Sequence, residues 1–136
     1  MKKLFAIFIA TLIGFCAFAQ ETLVLEKSYI QNQEGLYWEF TVPPYSQYIK
    51  VDCSTSAEFS WKMSFAVVPS KEDVIKFCAN RQFSYVAGSY KKKGQDYSVI
   101  LKDLTPGETY YFCAFNGTMG FTAAKQYTIV PTVTAY

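Results

Sequence analysis

The chain predicts an all-β fold: a two-sheet antiparallel β-sandwich with one short connecting helix near 70–80. Three observations carry that expectation. Apolar and polar residues alternate with a period of two over most of the chain. Short Pro- and Gly-marked breaks separate these runs. The stretch from Val99 to Phe115 sets a strand, a Pro106-Gly107 corner and a second strand in immediate succession, the order expected of two strands crossing between sheets.

The elements follow in order. Lys2 and Lys3 precede an apolar run from Leu4 to Phe15, and Ala17-Phe-Ala19 follows. This reads as a signal peptide over 1–19, cleaved before Gln20. The run is short for a membrane span, and Phe15 before Cys16 is a poor context for a lipidated cysteine. The expectation is an exported protein, periplasmic, cell-surface or extracellular, with no membrane span after cleavage and a single domain over 20–136.

Leu23 and Leu25 open a first short strand. Leu36, Trp38, Phe40 and Val42 alternate with Tyr37, Glu39 and Thr41 until Pro43-Pro44 stops them, because neither proline can donate to a ladder. Ile49, Val51 and Cys53 alternate with Lys50, Asp52 and Ser54. Phe59, Trp61, Met63, Phe65 and Val67 form the longest alternation, closed by Pro69. Tyr97, Val99 and Leu101 lead to the corner, residues 110–115 follow it, and a last strand runs from Phe121 to Val130, ended by Pro131. One segment breaks the period. Ser70-Lys-Glu-Asp73 resembles a capping box with acids in the first turn. Val74, Phe77 and Cys78 then fall at helical spacing, giving two or three turns that end near Asn80.

Composition excludes several functions. Removing 19 residues, two of them lysines, from the 136 leaves 117, and the 13 basic residues fall to 11 against 11 acidic. A neutral chain with one basic run, Lys91-Lys92-Lys93, lacks the clustered cations of nucleic-acid binding; that run suits a hairpin tip or a guarded edge strand. There is no histidine, which removes His-based triads and His-bearing zinc sites. Cys53, Cys78 and Cys113 are too scattered for structural zinc. They allow at most one internal disulfide in an oxidising compartment. No cofactor and no catalytic residue is expected. Glu72 and Asp73 are explained by helix capping, and a chain this short leaves little room for a cleft.

Leu104-Thr-Pro-Gly-Glu-Thr-Tyr110 is similar to the Leu-x-Pro-Gly-x-x-Tyr corner of fibronectin type III domains found in secreted bacterial proteins. Ser64-Phe-Ala-Val-Val-Pro-Ser70 resembles the strand-to-helix join of bacterial members. The resemblance covers roughly 45–131 and implies a binding or spacer module without catalysis. It makes Leu104, Pro106, Gly107 and Tyr110 a structural corner, with the Tyr110 hydroxyl bonded to backbone near Leu104. Tyr111-Phe-Cys113 also resembles the Tyr-x-Cys of immunoglobulin domains, with Cys53 as partner and Trp61 in the core. The two registers differ by one residue and bury opposite faces. The first turns Tyr110, Phe112 and Ala114 inward; the second turns Tyr111, Cys113 and Phe115 inward and permits a Cys53–Cys113 bridge. The Pro-Gly corner favours the first.

In that register Tyr111, Phe115, Ala66 and Val68 form an outward apolar strip. It is either an interaction surface or the seat of the helix through Phe77. Cys113 then lies on the side from which Cys78 could bridge to it. The function expected is a non-catalytic extracytoplasmic interaction module for a protein or glycan at the cell envelope. A structural or accessory subunit of a cell-surface assembly is the alternative, and a small enzyme the least favoured.

Overall fold

The computed structural model describes residues 2–4, 20–56, 62–92, 94, 96–119 and 126–136. Its elements are β1 (Lys2–Leu4), β2 (Glu21–Leu25), β3 (Ser28–Ile30), β4 (Gly35–Thr41), β5 (Ile49–Thr55), β6 (Met63–Val68), α1 (Lys71–Cys78), β7 (Lys91–Lys92), β8 (Tyr97–Leu101), β9 (Thr109–Asn116) and β10 (Tyr127–Ala135). They form a two-sheet β-sandwich with one helix. One sheet has the order β1-β4-β9-β6-β7, the other β2-β10-β5-β8, with β3 pairing β10 beside β2. Apart from β1, which lies parallel to β4, neighbouring strands are antiparallel.

The period-two alternation packs one face of each sheet into a shared core. Leu36, Trp38 and Phe40 of β4, Phe65 and Val67 of β6, and Tyr110, Phe112 and Ala114 of β9 meet Val51 and Cys53 of β5, Tyr97 of β8 and Ile129 of β10. Aromatic rings fill its centre. Phe112 lies 5.5 Å from Trp38, 5.3 Å from Tyr97 and 6.1 Å from Phe65, in the range of favourable ring pairing.

At the corner, Thr105 to Glu108 form a turn closed by the Glu108 N–H donating to the Thr105 carbonyl at 3.2 Å. Pro106 holds its second position. Gly107, with φ of 83°, supplies the left-handed third position that a type II turn requires. Tyr110 is buried, and its hydroxyl oxygen accepts the Thr105 N–H at 2.9 Å.

Two points differ from the sequence expectation. The last strand does not stop at Pro131. It runs on to Ala135, with Pro131 opposite Cys53 of β5. On its other side β10 pairs with β3 through residues 127–129 and with β2 through 132–135. Pro131 falls in the gap between those partners, where a missing N–H removes no ladder bond. A short strand, β3, adds to the set. Lys91 and Lys92 form an edge strand beside β6, one of the two positions expected of the lysine run. The alternation assigned from Phe59 onward is a strand from Met63. Phe59 and Trp61 lie outside the described residues, as do the cleavage signal at 17–19 and Phe121.

Candidate functional site

The helix begins where the capping pattern places it. Ser70 Oγ accepts the Asp73 N–H at 3.2 Å and donates to Asp73 Oδ2 at 2.7 Å. Glu72 pairs with Lys76 at 3.1 Å across one turn, a contact worth a few tenths of a kcal/mol. The end is equally defined. The Arg81 N–H donates to the Lys76 carbonyl at 2.9 Å and the Asn80 N–H to the Phe77 carbonyl at 3.3 Å, with Asn80 at φ of 55°. This is a Schellman termination with asparagine in the left-handed position.

Val74 and Phe77 of α1 bury against Ala66, Val68 and Cys113, with Tyr37, Cys78, Phe83, Tyr111 and Phe115 packed around them. A second, smaller core therefore lies on the outer face of the β4-β9-β6 sheet. Of the two readings of the strip, the seat of the helix is the one observed, and the interaction surface is not. Ala66 and Val68 are fully buried, and Tyr111 and Phe115 are half-buried against the helix. Once the strip is apolar and the following segment can form an amphipathic helix, covering it removes both apolar faces from water.

None of Cys53, Cys78 and Cys113 is joined in a disulfide, so the Cys78–Cys113 bridge is not formed. Cys53 points between the sheets and Cys113 out of the β4-β9-β6 sheet beneath the helix, so the two do not face each other. Burial pushes the Cys113 and Cys53 thiols well up and Cys78 up to about 11. None is poised as a nucleophile near neutral pH.

The surface feature that stands out is the segment joining α1 to β7, residues 79–90. It has no regular structure, yet hydrogen bonds at three backbone groups and one buried side chain fasten it. Asp73, whose Oδ2 is engaged in the helix cap, accepts the Ser84 N–H on its Oδ1 at 2.9 Å. The Val86 N–H donates to the Val67 carbonyl at 2.8 Å. The Oγ of fully buried Ser89 accepts the Val67 N–H at 3.1 Å and donates to the Val86 carbonyl at 2.6 Å. The Ser89 carbonyl accepts from the hydroxyl of buried Tyr97, whose ionisation burial pushes up.

This fastened loop presents rings. Phe83 lies 5.2 Å from Phe77 at 90°, which anchors it on the helix core. Outside it, Phe83–Tyr85, Phe83–Tyr90 and Tyr85–Tyr90 centroids are 5.5, 5.2 and 5.2 Å apart at 53°, 57° and 72°. Tyr85 is 48% exposed and Tyr90 37%. Three mutually packed aromatics, two of them solvent-facing, form a faceted patch rimmed by exposed Arg81 and Gln82. Sequence reasoning missed it. Aromatics at 83, 85 and 90 follow neither strand nor helix spacing, so they merged with the aromatics assigned to the core. The available signal was an aromatic-rich stretch with no period. Among the described residues, no group of three Cys, Asp or Glu could hold a metal.

No family model and no curated protein matches this chain. Among solved structures it is similar to the crystal structure of PliG from Aeromonas hydrophila, a periplasmic inhibitor of g-type lysozyme. The identity is 10%, the match covers 91% of this chain and 93% of that one, and the TM-score is 0.48. At that level no role passes from one protein to the other. No helix among the described residues is long and apolar enough to cross a membrane.

Proposed function

We propose that this chain is a non-catalytic extracytoplasmic interaction module that docks a protein partner through the aromatic patch of Phe83, Tyr85 and Tyr90. One observation carries the reading: the rings are held out to solvent by a loop whose backbone is tied to the sheet and the helix cap. Exposed aromatics are costly to leave in water, and a preformed loop loses little conformational entropy on binding. Tyrosine adds a large contact area with a hydroxyl at its tip and is enriched where interfaces concentrate their energy.

Ring geometry favours a protein over a glycan. A sugar stacks on a flat, open ring face, whereas these rings meet at 53° to 72° and cover one another's faces. At one edge of the first sheet, growth by strand addition is disfavoured. The β7 edge is two residues long and both are lysines, a pattern that discourages strand addition. The likeness of the corner to fibronectin type III domains is part of the same proposal.

The test is site-directed photocrosslinking. A benzophenone amino acid is placed at Tyr85, at Tyr90 and, as a control on another face, at exposed Ile100. A protein adduct formed from 85 and 90 but not from 100, whose partner then binds the purified chain one to one, supports the proposal. Adducts from 100 alone, or specific glycan binding that survives Tyr85→Ser with Tyr90→Ser, would overturn it.

A further inference from the structure

A cavity of about 380 Å³ opens beside the C-terminal end of α1, within the size range of small-ligand sites. Strand register explains it. The helix covers the cross-strand row Tyr37–Cys113–Ala66. The next row is Gly35–Phe115–Ser64–Lys92, running across β4, β9, β6 and β7. The helix ends above it at Cys78, and there the chain turns away through Asn80. Gly35 makes this possible, because a Cβ on it would lie 2.3 Å from Cys78 Sγ. The rest of the row, Phe115, Ser64 and Lys92, lines the cavity, with Cys78 and Asn80 on one wall and Gln33 and Lys62 on the other.

The lining grades from apolar to cationic. Side chains paired across neighbouring strands stand about 5 Å apart, so Phe115, Ser64 and Lys92 present a ring, a hydroxyl and an ammonium in sequence. Among the described residues, two lysines line the cavity and no carboxylate does. Lys62 has a contact of its own; Lys92 is the cation that stands opposite Ser64 across the β6–β7 pair. Two effects could favour a cation instead: the negative end of the helix and a nearby thiolate. The Schellman turn and the Ala79 N–H occupy the carbonyls of Ile75, Lys76 and Phe77, which weakens the first. The Cys78 thiol, pushed up to about 11 by burial, is neutral at pH 7, which removes the second.

We propose that this cavity binds a small organic anion: a carboxylate on a flat apolar body, with the body against Phe115 and the carboxylate between Ser64 and Lys92. The site is separate from the aromatic patch, and either can fail without the other. Backbone amide NMR titration tests it, with benzoate against its neutral isostere benzamide up to about 20 mM, enough to read millimolar affinity. Benzoate is expected to shift Ser64, Lys92, Phe115 and Asn80 saturably, with benzamide roughly tenfold weaker, the share of one charge-assisted contact. Lys92→Met brings benzoate down to the benzamide level, and Lys92→Arg retains most of the binding. Equal binding of the two probes, shifts scattered away from this row, no binding of either, or a Lys92→Met protein that binds benzoate undiminished would each overturn the proposal.

Discussion

Replacing Gly35 by alanine tests how the helix is seated. In an open strand this change gains about 0.5–1 kcal/mol, because alanine restricts the unfolded chain more than glycine does. Here the new methyl meets Cys78 Sγ at 2.3 Å and Cys78 Cβ at 3.0 Å, against an ordinary contact of roughly 3.5–4 Å. Rotating the Cys78 side chain relieves the first clash but not the second, since Cβ is fixed to the helix backbone. The end of α1 must therefore lift. Overpacking of this kind costs about 1–3 kcal/mol, and we expect a net loss of about 1–2 kcal/mol. Cys78→Ala removes Sγ and leaves Cβ, so the double variant should be less destabilised than the sum of the single changes by at least about 0.5 kcal/mol. Urea unfolding under reducing conditions, followed by tryptophan fluorescence, reads all four proteins. A Gly35→Ala protein more stable than its parent, or losses that simply add, would refute the account of why the helix ends where it does.

The other predictions concern the corner, the loop and the thiols. Tyr110→Phe keeps the ring and strands the Thr105 N–H, so chemical denaturation should show a loss of about 1–3 kcal/mol. Asp73→Ala removes the acceptor shared by the helix cap and Ser84. It should cost about 1–3 kcal/mol and raise hydrogen exchange at Ser84 and Val86 far more than in the β4-β9 core. The folded Cys78 thiol ionises near 11 against an ordinary value of 9.0, so its contribution to stability is complete below about pH 9 and lost as pH rises through about 11. Cys53 and Cys113 shift the same way. The urea midpoint should fall between about pH 8 and about pH 10.5, and fall less in Cys78→Ala. Alkylation of the native, reduced protein should modify half-buried Cys78 before Cys113 or Cys53.

The sandwich was legible because its signals are local. Alternation at Leu36–Phe40 and Ile49–Cys53 specifies which side chains enter the core, and Ser70 to Asp73 specifies where the helix starts. The Pro106-Gly107 turn sets the phase of the strand after it. What stayed hidden depends on partners distant in sequence. Pro131 reads as a stop, yet its effect depends on whether a neighbouring strand asks for its N–H, and the break between β3 and β2 does not. Ala66 and Val68 read as an outward strip whose exposure depends on where the helix that begins at Lys71 folds back. The patch was least legible. Phe83, Tyr85 and Tyr90 converge through bonds to Asp73, Val67 and Tyr97, and no periodicity within 79–90 encodes those partners.

The central claim is that binding runs through the fastened aromatic loop. Its most direct measurement is the affinity of the crosslinked partner for three proteins: the parent, Tyr85→Ser with Tyr90→Ser, and Ile100→Ser. The account predicts a loss of about thirtyfold or more for the double variant, the scale of a hot spot near 2 kcal/mol, with its urea midpoint unchanged and Ile100→Ser binding as the parent does. A double variant that binds as tightly as the parent, or a loss confined to Ile100→Ser, would contradict it.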